Sequence, residues 1–272
     1  MDLLVHDGVA DDQAANLALE EALARARPRS PLLRLWQNEC CLVIGRAQRV
    51  SREVNLAACA AAGIPVLRRS SGGGTVYQDL GNLNITLAVP GPAPGLAAGL
   101  AAFIASVIAR LGLQAAAGER GVFVYDAGMA GPASRGGEHG PAGSAKVSGL
   151  ASQVTRNGSV AHATLLVTTA ASQVHAFLAP APADSHPTDS RRSRVASLRE
   201  LDCDLGVAEA RGAVLTEAAR RYGPLSRRRP HDGELGWQRR LLAERYRIDS
   251  WHQTGRTEEA QWTTRPVLTC TG

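Results

Sequence analysis

Residues 146–168 read KVSGLASQVTRNGSVAHATLLVT. Two runs with strand-like alternation flank Asn157-Gly158, the preferred pair for a type I′ turn. The spacing predicts an antiparallel hairpin, with strands over 146–155 and 159–168. Such a hairpin excludes an all-parallel, doubly wound sheet, in which every strand returns through a crossover. The neighbouring segments fit the same class. Short strands are predicted at 32–36, 41–44, 65–69, 75–78, 83–89 and 122–125. Helical spacing after Asp11 and Asp12 predicts a helix over 11–27. A second helix is expected from a Ser51 cap through residue 62, stopped by Gly63. The Ala-rich run 96–111 predicts a third, and two more fall within 205–222 and 234–247. The fold class is α+β.

The chain has 272 residues, 44% of them hydrophobic, enough for a sizeable core in one large domain. No apolar run is long enough to span a bilayer, and the N-terminus carries no secretory pattern. Five cysteines, an odd number without CxxC spacing, exclude a disulfide framework or zinc knuckle as the organising device. These features set a cytoplasmic expectation. The net charge of +5 admits a nucleic-acid partner. However, the clusters Arg191, Arg192, Arg194 and Arg227, Arg228, Arg229 lack interleaved aromatics. Solvated faces are the simpler account, with attraction to an acidic protein or a phosphorylated ligand the second.

Of the 30 basic residues, 29 are Arg and one is Lys, at position 146. A bias toward Arg explains the many. The one is either a chance survivor or a position needing a compact ammonium that a planar guanidinium cannot replace.

Two segments carry the polar chemistry. RRSSGGGTVYQDLGN, residues 68–82, sets three glycines behind Arg68 and Arg69. Successive glycine amides can form an anion-binding nest, and the two arginines can hold phosphate or carboxylate. No Gly-Lys-Ser/Thr follows, so this is not a Walker A loop. It leads into a strand and not a helix, so it is not a dinucleotide fingerprint. The alternative is a flexible connector. In the hairpin, Lys146 can stabilise developing negative charge. His162, on the return strand, is either a structural residue or a substrate-orienting one.

Read together, these segments resemble the lipoate–protein ligases, in the wider group that includes biotin–protein ligases and octanoyltransferases. AANLALEEAL is similar to that family's opening helix. LLRLWQNECCLVIGRAQRVSREVN resembles the segment with a Gly-Arg-x-Gln turn, here Gly45, Arg46 and Gln48. RRSSGGGTVYQDLGNLNITL, KVSGLAS, HATLL and SRVASL follow in family order, over roughly residues 12–200. The resemblance implies a mixed sheet flanked by helices. It also implies attack of lipoate on ATP to give lipoyl-AMP, then transfer to a lysine of an acceptor lipoyl domain. Lys146 would be the catalytic residue. Arg46, Arg68, Arg69, Ser71, Gly72, Gly73, Gly74, Thr75, Val76, Asp79 and Asn82 would bind substrate or adenylate. So would Ser148, Gly149, His162, Ala163 and Thr164. Asp126 would be a magnesium ligand.

This sequence departs from the pattern at Gln78, where the family often has His, and at Ala163, where it has Gly. Tyr125-Asp126 is the only match to the family's Asn-Asp pair. Residues 127–145 are expected to be a mobile lid. The catalytic domain is expected over 1–256 with a tail over 257–272, leaving no full accessory domain and inviting a separate accessory chain. An acyltransferase would need a cysteine nucleophile, and none lies between Cys59 and Cys203. A non-catalytic lipoate-binding module and a biotin ligase are the remaining alternatives.

Overall fold

A computed structural model describes residues 3–7, 12–125 and 143–257. Its elements begin with β1 (Leu3–Asp7), α1 (Gln13–Arg25), β2 (Leu32–Trp36), β3 (Cys41–Ile44), α2 (Val50–Glu53) and α3 (Leu56–Ala61). They continue with β4 (Val66–Arg68), β5 (Val76–Gln78), β6 (Asn82–Pro90), α4 (Leu96–Arg110), β7 (Ala115–Gly118) and β8 (Gly121–Tyr125). The second half holds β9 (Ser144–Val154), β10 (Gly158–Leu166), α5 (Ala171–Ala176), α6 (Val207–Tyr222), β11 (Leu225–Arg227), α7 (Asp232–Leu241) and α8 (Asp249–Thr254). A π-helical turn, Leu242–Tyr246, joins the last two helices.

Eight strands form one mixed sheet in the order β11-β1-β2-β6-β10-β9-β8-β7, and β4-β3-β5 form a second. Among the described strands, parallel pairs are β11-β1-β2 and β3-β4. The large sheet buries one face under α4 and α6. Leu100, Phe103, Ile104, Val107 and Ile108 follow the i, i+3, i+4 rule along α4 and pack with Leu83, Ile85, Ala161 and Leu165. Each such side chain contributes about 1.5–3 kcal/mol when fully buried.

The alternation of β10 puts His162 and Thr164 on the opposite face, where register builds two rows. Arg34, Thr86, His162 and Ala151 are successive cross-strand partners, and so are Trp36, Asn84, Thr164 and Gly149. These rows floor a cleft roofed by α1 and the small sheet.

The predicted hairpin forms, but its turn is centred on Arg156 and Asn157, with Val154 opposite Ser159. Neither residue has positive φ, so the turn is not type I′. Thr155 closes it, its Oγ1 donating to the Gly158 carbonyl at 2.6 Å. Gly158 is required for another reason: a Cβ there would lie 2.7 Å from Pro28 and 2.9 Å from the Ala24 carbonyl. The helix expected over 51–62 is two helices. Ser51 lies inside the first, and Asn55 caps the second by accepting from the Ala58 amide. β5 and β6 join different sheets and do not pair with each other. Lid residues 127–142, Asp126 and 258–272 of the tail lie outside the described residues.

Candidate active site

The Gly-rich turn is held by contacts that only glycine permits. A Cβ on Gly45 would sit 2.2 Å from the Gly73 carbonyl oxygen. Gly73 itself has φ +83°, a region side chains disfavour. Arg69, buried inside the turn, donates to the carbonyls of Val43, Gly72 and Gly74. With those carbonyls drawn inward, the amides of Gly72, Gly73 and Gly74 have no hydrogen-bond partner among the described residues. A Cβ on Gly72 would meet nothing within 4 Å. Gly45→Ala is therefore expected to lower stability by about 1–3 kcal/mol through overpacking, and Gly72→Ala to leave the melting temperature unchanged. Thermal melts of the two variants decide; equal behaviour would remove the close approach as a constraint.

The loop over 180–192 is tied across this turn. The Ser190 hydroxyl accepts from the Thr75 amide at 2.8 Å and from Gln48 Nε2 at 3.1 Å, and donates to Glu53 at 2.5 Å. Arg52 anchors the same loop through Asp184 and Asp189.

At the cleft floor, Glu20 of α1 meets His162 Nδ1 at 2.5 Å, and Nε2 meets the Ser71 hydroxyl at 2.9 Å. Burial opposes the Glu20 charge, but His162, the Thr86 hydroxyl and Arg34 outweigh it and hold the carboxyl below its ordinary pKa. Gln78 is tied into an amide chain, receiving from Asn38 at 2.8 Å and donating to Asn84 at 2.9 Å.

Lys146 lies where two cavities meet. The first reaches to Leu17, Trp36, Val43 and Leu150 and is largely apolar at that end. The second runs past Ser148, Leu166, His175 and Arg192. A Cβ on Gly121 would be 2.5 Å from Lys146 Cε, so the stem lies flat on glycine backbone. Its main chain is clamped on both sides, by Phe123 in β8 and by a bridge to Val195. Among the described residues no carboxylate pairs with the amine. Burial, aided by the charge of Arg120, pushes its pKa down to about 8.

The sequence-derived residues divide into three groups. Lys146, Arg69, Gly74, Thr75, Val76, Gly149, His162, Ala163 and Thr164 line the first cavity, and Ser148 lines the second. Ser148 Oγ is buried with no partner among the described residues, a hydroxyl available to a ligand. Ser71, Gly72 and Gly73 shape the adjoining turn. Arg46 is solvent-exposed, and Arg68 spends its donors on main-chain carbonyls on the far side of β4. Asp79 holds a turn, accepting from Gly81 and Thr169, and Asn82 supports Asn84 from behind. Ala163 falls with Ala161 and Leu165 on the α4 side, so its methyl is mostly core. Residues not singled out from sequence include Glu20, Trp36, Asn84, Arg120 and Ser190. Glu20, in an Ala/Leu-rich helix, was the one with a visible signal. Among the described residues no three His, Cys, Asp or Glu side chains gather as a metal site.

A family model for the lipoyl protein ligase A/B catalytic domain matches residues 12–219. The chain belongs to that family. A protein of Aeropyrum pernix provisionally named lipoate-protein ligase A is 34% identical over 171 residues, 61% of this chain and 58% of its own length. The chain thus matches little more than half of that relative. The bipartite lipoate protein ligase of Thermoplasma acidophilum, solved in a study with its E2 lipoyl domain, superposes with a TM-score of 0.73 at 24% identity, covering 94% of this chain and 97% of that one. A lipoate-protein ligase A with ATP bound gives 0.73 at 24% identity, covering 94% and 99%. These structural likenesses establish that this family member shares the fold of those proteins.

Proposed function

We propose that this chain is an ATP-dependent lipoate–protein ligase. One observation carries the proposal: Lys146 stands at the meeting point of two cavities, one ending against Leu17, Trp36, Val43 and Leu150 and the other running past Ser148, His175 and Arg192, without a carboxylate partner among the described residues. The end of the first cavity lined by Leu17, Trp36, Val43 and Leu150 suits the acyl tail, with the carboxylate directed at Lys146. The second cavity, with the unpartnered Ser148 hydroxyl, suits the nucleotide. In the first step a lipoate carboxylate oxygen attacks the α-phosphorus of ATP. A phosphoanhydride bond breaks, and pyrophosphate leaves with the electron pair. The ammonium of Lys146 answers the negative charge on both reacting groups and holds them in reach. In the second step a lysine amine of an acceptor lipoyl domain attacks the acyl carbonyl. The C–O bond to AMP breaks, AMP leaves, and the amine sheds its proton.

Magnesium would accompany ATP and share the charge of its phosphates. The relatives' names support lipoate, ATP and a lipoyl-domain partner, with a separate accessory chain as a further partner. No described helix is long and apolar enough to cross a membrane, in keeping with a cytoplasmic site of action. An acyl-carrier-dependent transfer fits the cleft less well. Cys41 and Cys59 are buried in core clusters, and among the described residues no cysteine lines either cavity. Incubation with lipoate and an acceptor domain, with and without ATP, tests the reading by mass spectrometry. Acceptor mass gain only with ATP is expected; gain without ATP from an acylated carrier would replace ligase by transferase.

A further inference from the structure

A chain of buried side-chain hydrogen bonds ends at the first cavity. It starts at Arg34, whose guanidinium can only donate. Arg34 donates to Asn16 Oδ1 at 2.5 Å, and Asn16 Nδ2 to Asn38 Oδ1 at 2.9 Å. Asn38 Nδ2 donates to Gln78 Oε1 at 2.8 Å, and Gln78 Nε2 to Asn84 Oδ1 at 2.9 Å. Each of these residues is buried. Because the first member is a cation, every amide is turned the same way, oxygen toward Arg34 and nitrogen onward, and each link polarises the next. The last nitrogen is Asn84 Nδ2. The Asn84 oxygen is filled by Gln78 and by Asn82, which donates at 3.2 Å. The nitrogen has one hydrogen-bond contact among the described residues, a return to Gln78 at 3.5 Å, too long to satisfy it.

Asn84 borders that cavity, with Trp36 and Thr164 as its neighbours in one cross-strand row. Gly149 ends the row, two strands from Asn84, or about 10 Å at the usual strand spacing. Lys146 Cε lies 3.9 Å from the Cβ position of Gly149. An acid whose carboxylate meets Lys146 therefore brings the far part of its chain beside Asn84. In lipoate that part carries the sulfurs; in a plain fatty acid it is methylene and methyl. We propose that Asn84 is a specificity-determining residue, its Nδ2 donating to an acceptor atom near the sixth carbon of the acyl chain, and that it selects a sulfur- or oxygen-bearing tail over an unsubstituted one. This rests on the ATP-dependent ligase reading above. Sulfur is a weak acceptor, but a hydrocarbon tail offers none. It would exclude water from a buried, polarised N–H and leave that donor unpaired, which costs more than the bond itself contributes.

Adenylate formation with three acids tests this: lipoate, octanoate and 6-oxooctanoate, whose ketone supplies an acceptor without the width of the dithiolane ring. In the unmodified protein kcat/KM for lipoate and for 6-oxooctanoate should exceed that for octanoate about fivefold or more, the range for leaving a buried donor unpaired. In Asn84→Leu, which keeps the side-chain size and removes the donor, octanoate should be used at least as well as the other two. Equal kcat/KM for 6-oxooctanoate and octanoate in the unmodified protein would overturn the proposal even with lipoate preferred, because the shape of the ring would then carry the choice. An undiminished preference in Asn84→Leu would overturn it too. The substrate comparison decides even if that variant fails to fold. If the unmodified protein forms no acyl-adenylate, the ligase reading fails first and takes this inference with it; adenylate formed without discrimination leaves that reading standing and removes this one.

Discussion

Lys146→Ala is expected to lower single-turnover formation of lipoyl-AMP by about a hundredfold or more, roughly 3 kcal/mol of transition-state stabilisation. Lys146→Arg should fall nearly as far. The lone lysine lies flat against the backbone of Gly121 and within 3.9 Å of the Cβ position of Gly149. A guanidinium is broader and would have to displace that backbone or swing out of the junction between the cavities. The melting temperature should change little for Lys146→Ala, since among the described residues the amine has no carboxylate partner to lose. The pH dependence gives an independent check. An ammonium with a pKa pushed down to about 8 loses its proton as pH rises through that value. The kcat/KM for adenylate formation, which reports the free enzyme, should decline above about pH 8, well before an ordinary lysine would titrate. Lys146→Arg with full activity, or a profile flat to pH 10, would make the lysine incidental.

The legible part of this fold was the part set by local pattern. Both strands of the 146–168 hairpin, α1 with its Asp12 cap and the apolar stripe of α4 follow from periodicity and capping alone. β1, β7 and β11 were not visible. Each is five residues or fewer, and β7 is AAAG, a sequence with no strand signature. Such strands exist because a neighbour's edge is available, which is a tertiary fact. The Asn157-Gly158 error has the same root: the glycine was read as a demand for positive φ, whereas it answers the approach of Pro28 from far along the chain. In the site, the sole lysine, the Gly-rich segment and the hairpin histidine pointed to Lys146, the Gly-rich turn and His162 from the residues themselves. They could not show that Glu20, 142 positions before His162, supports that ring. Nor could they show that Ser190 pins the turn. Chain proximity also misled, because adjacent arginines on a strand end face opposite ways. Arg69 points into the turn and Arg68 away from it.

That opposition makes Arg68→Ala the variant with the largest expected effect on stability. The guanidinium donates to the carbonyls of Gly45, Arg46 and Gln48 and to those of Trp251, His252 and Gln253. Trp251 Nε1 returns a bond to the Arg68 carbonyl, and His252 accepts from its amide. One side chain thereby joins the Gly45 turn, and through it the Gly-rich loop, to α8. Burial pulls the Arg68 pKa down to about 10, which still leaves it charged at neutral pH. Truncation would strand several carbonyls with no donor, at about 3–5 kcal/mol in total. For a domain of this size that is a fall in melting temperature on the order of 10 °C. Arg68→Lys should recover only part of it, since three donors on a point-like ammonium cannot span two sets of carbonyls on opposite sides. A direct role in holding ATP or lipoate predicts the reverse pattern, a normal melt with a raised KM. Thermal melts and KM values measured on both variants separate the two. The carbonyl geometry requires the loss to appear in the melt, with any loss of activity following from displacement of the Gly-rich turn.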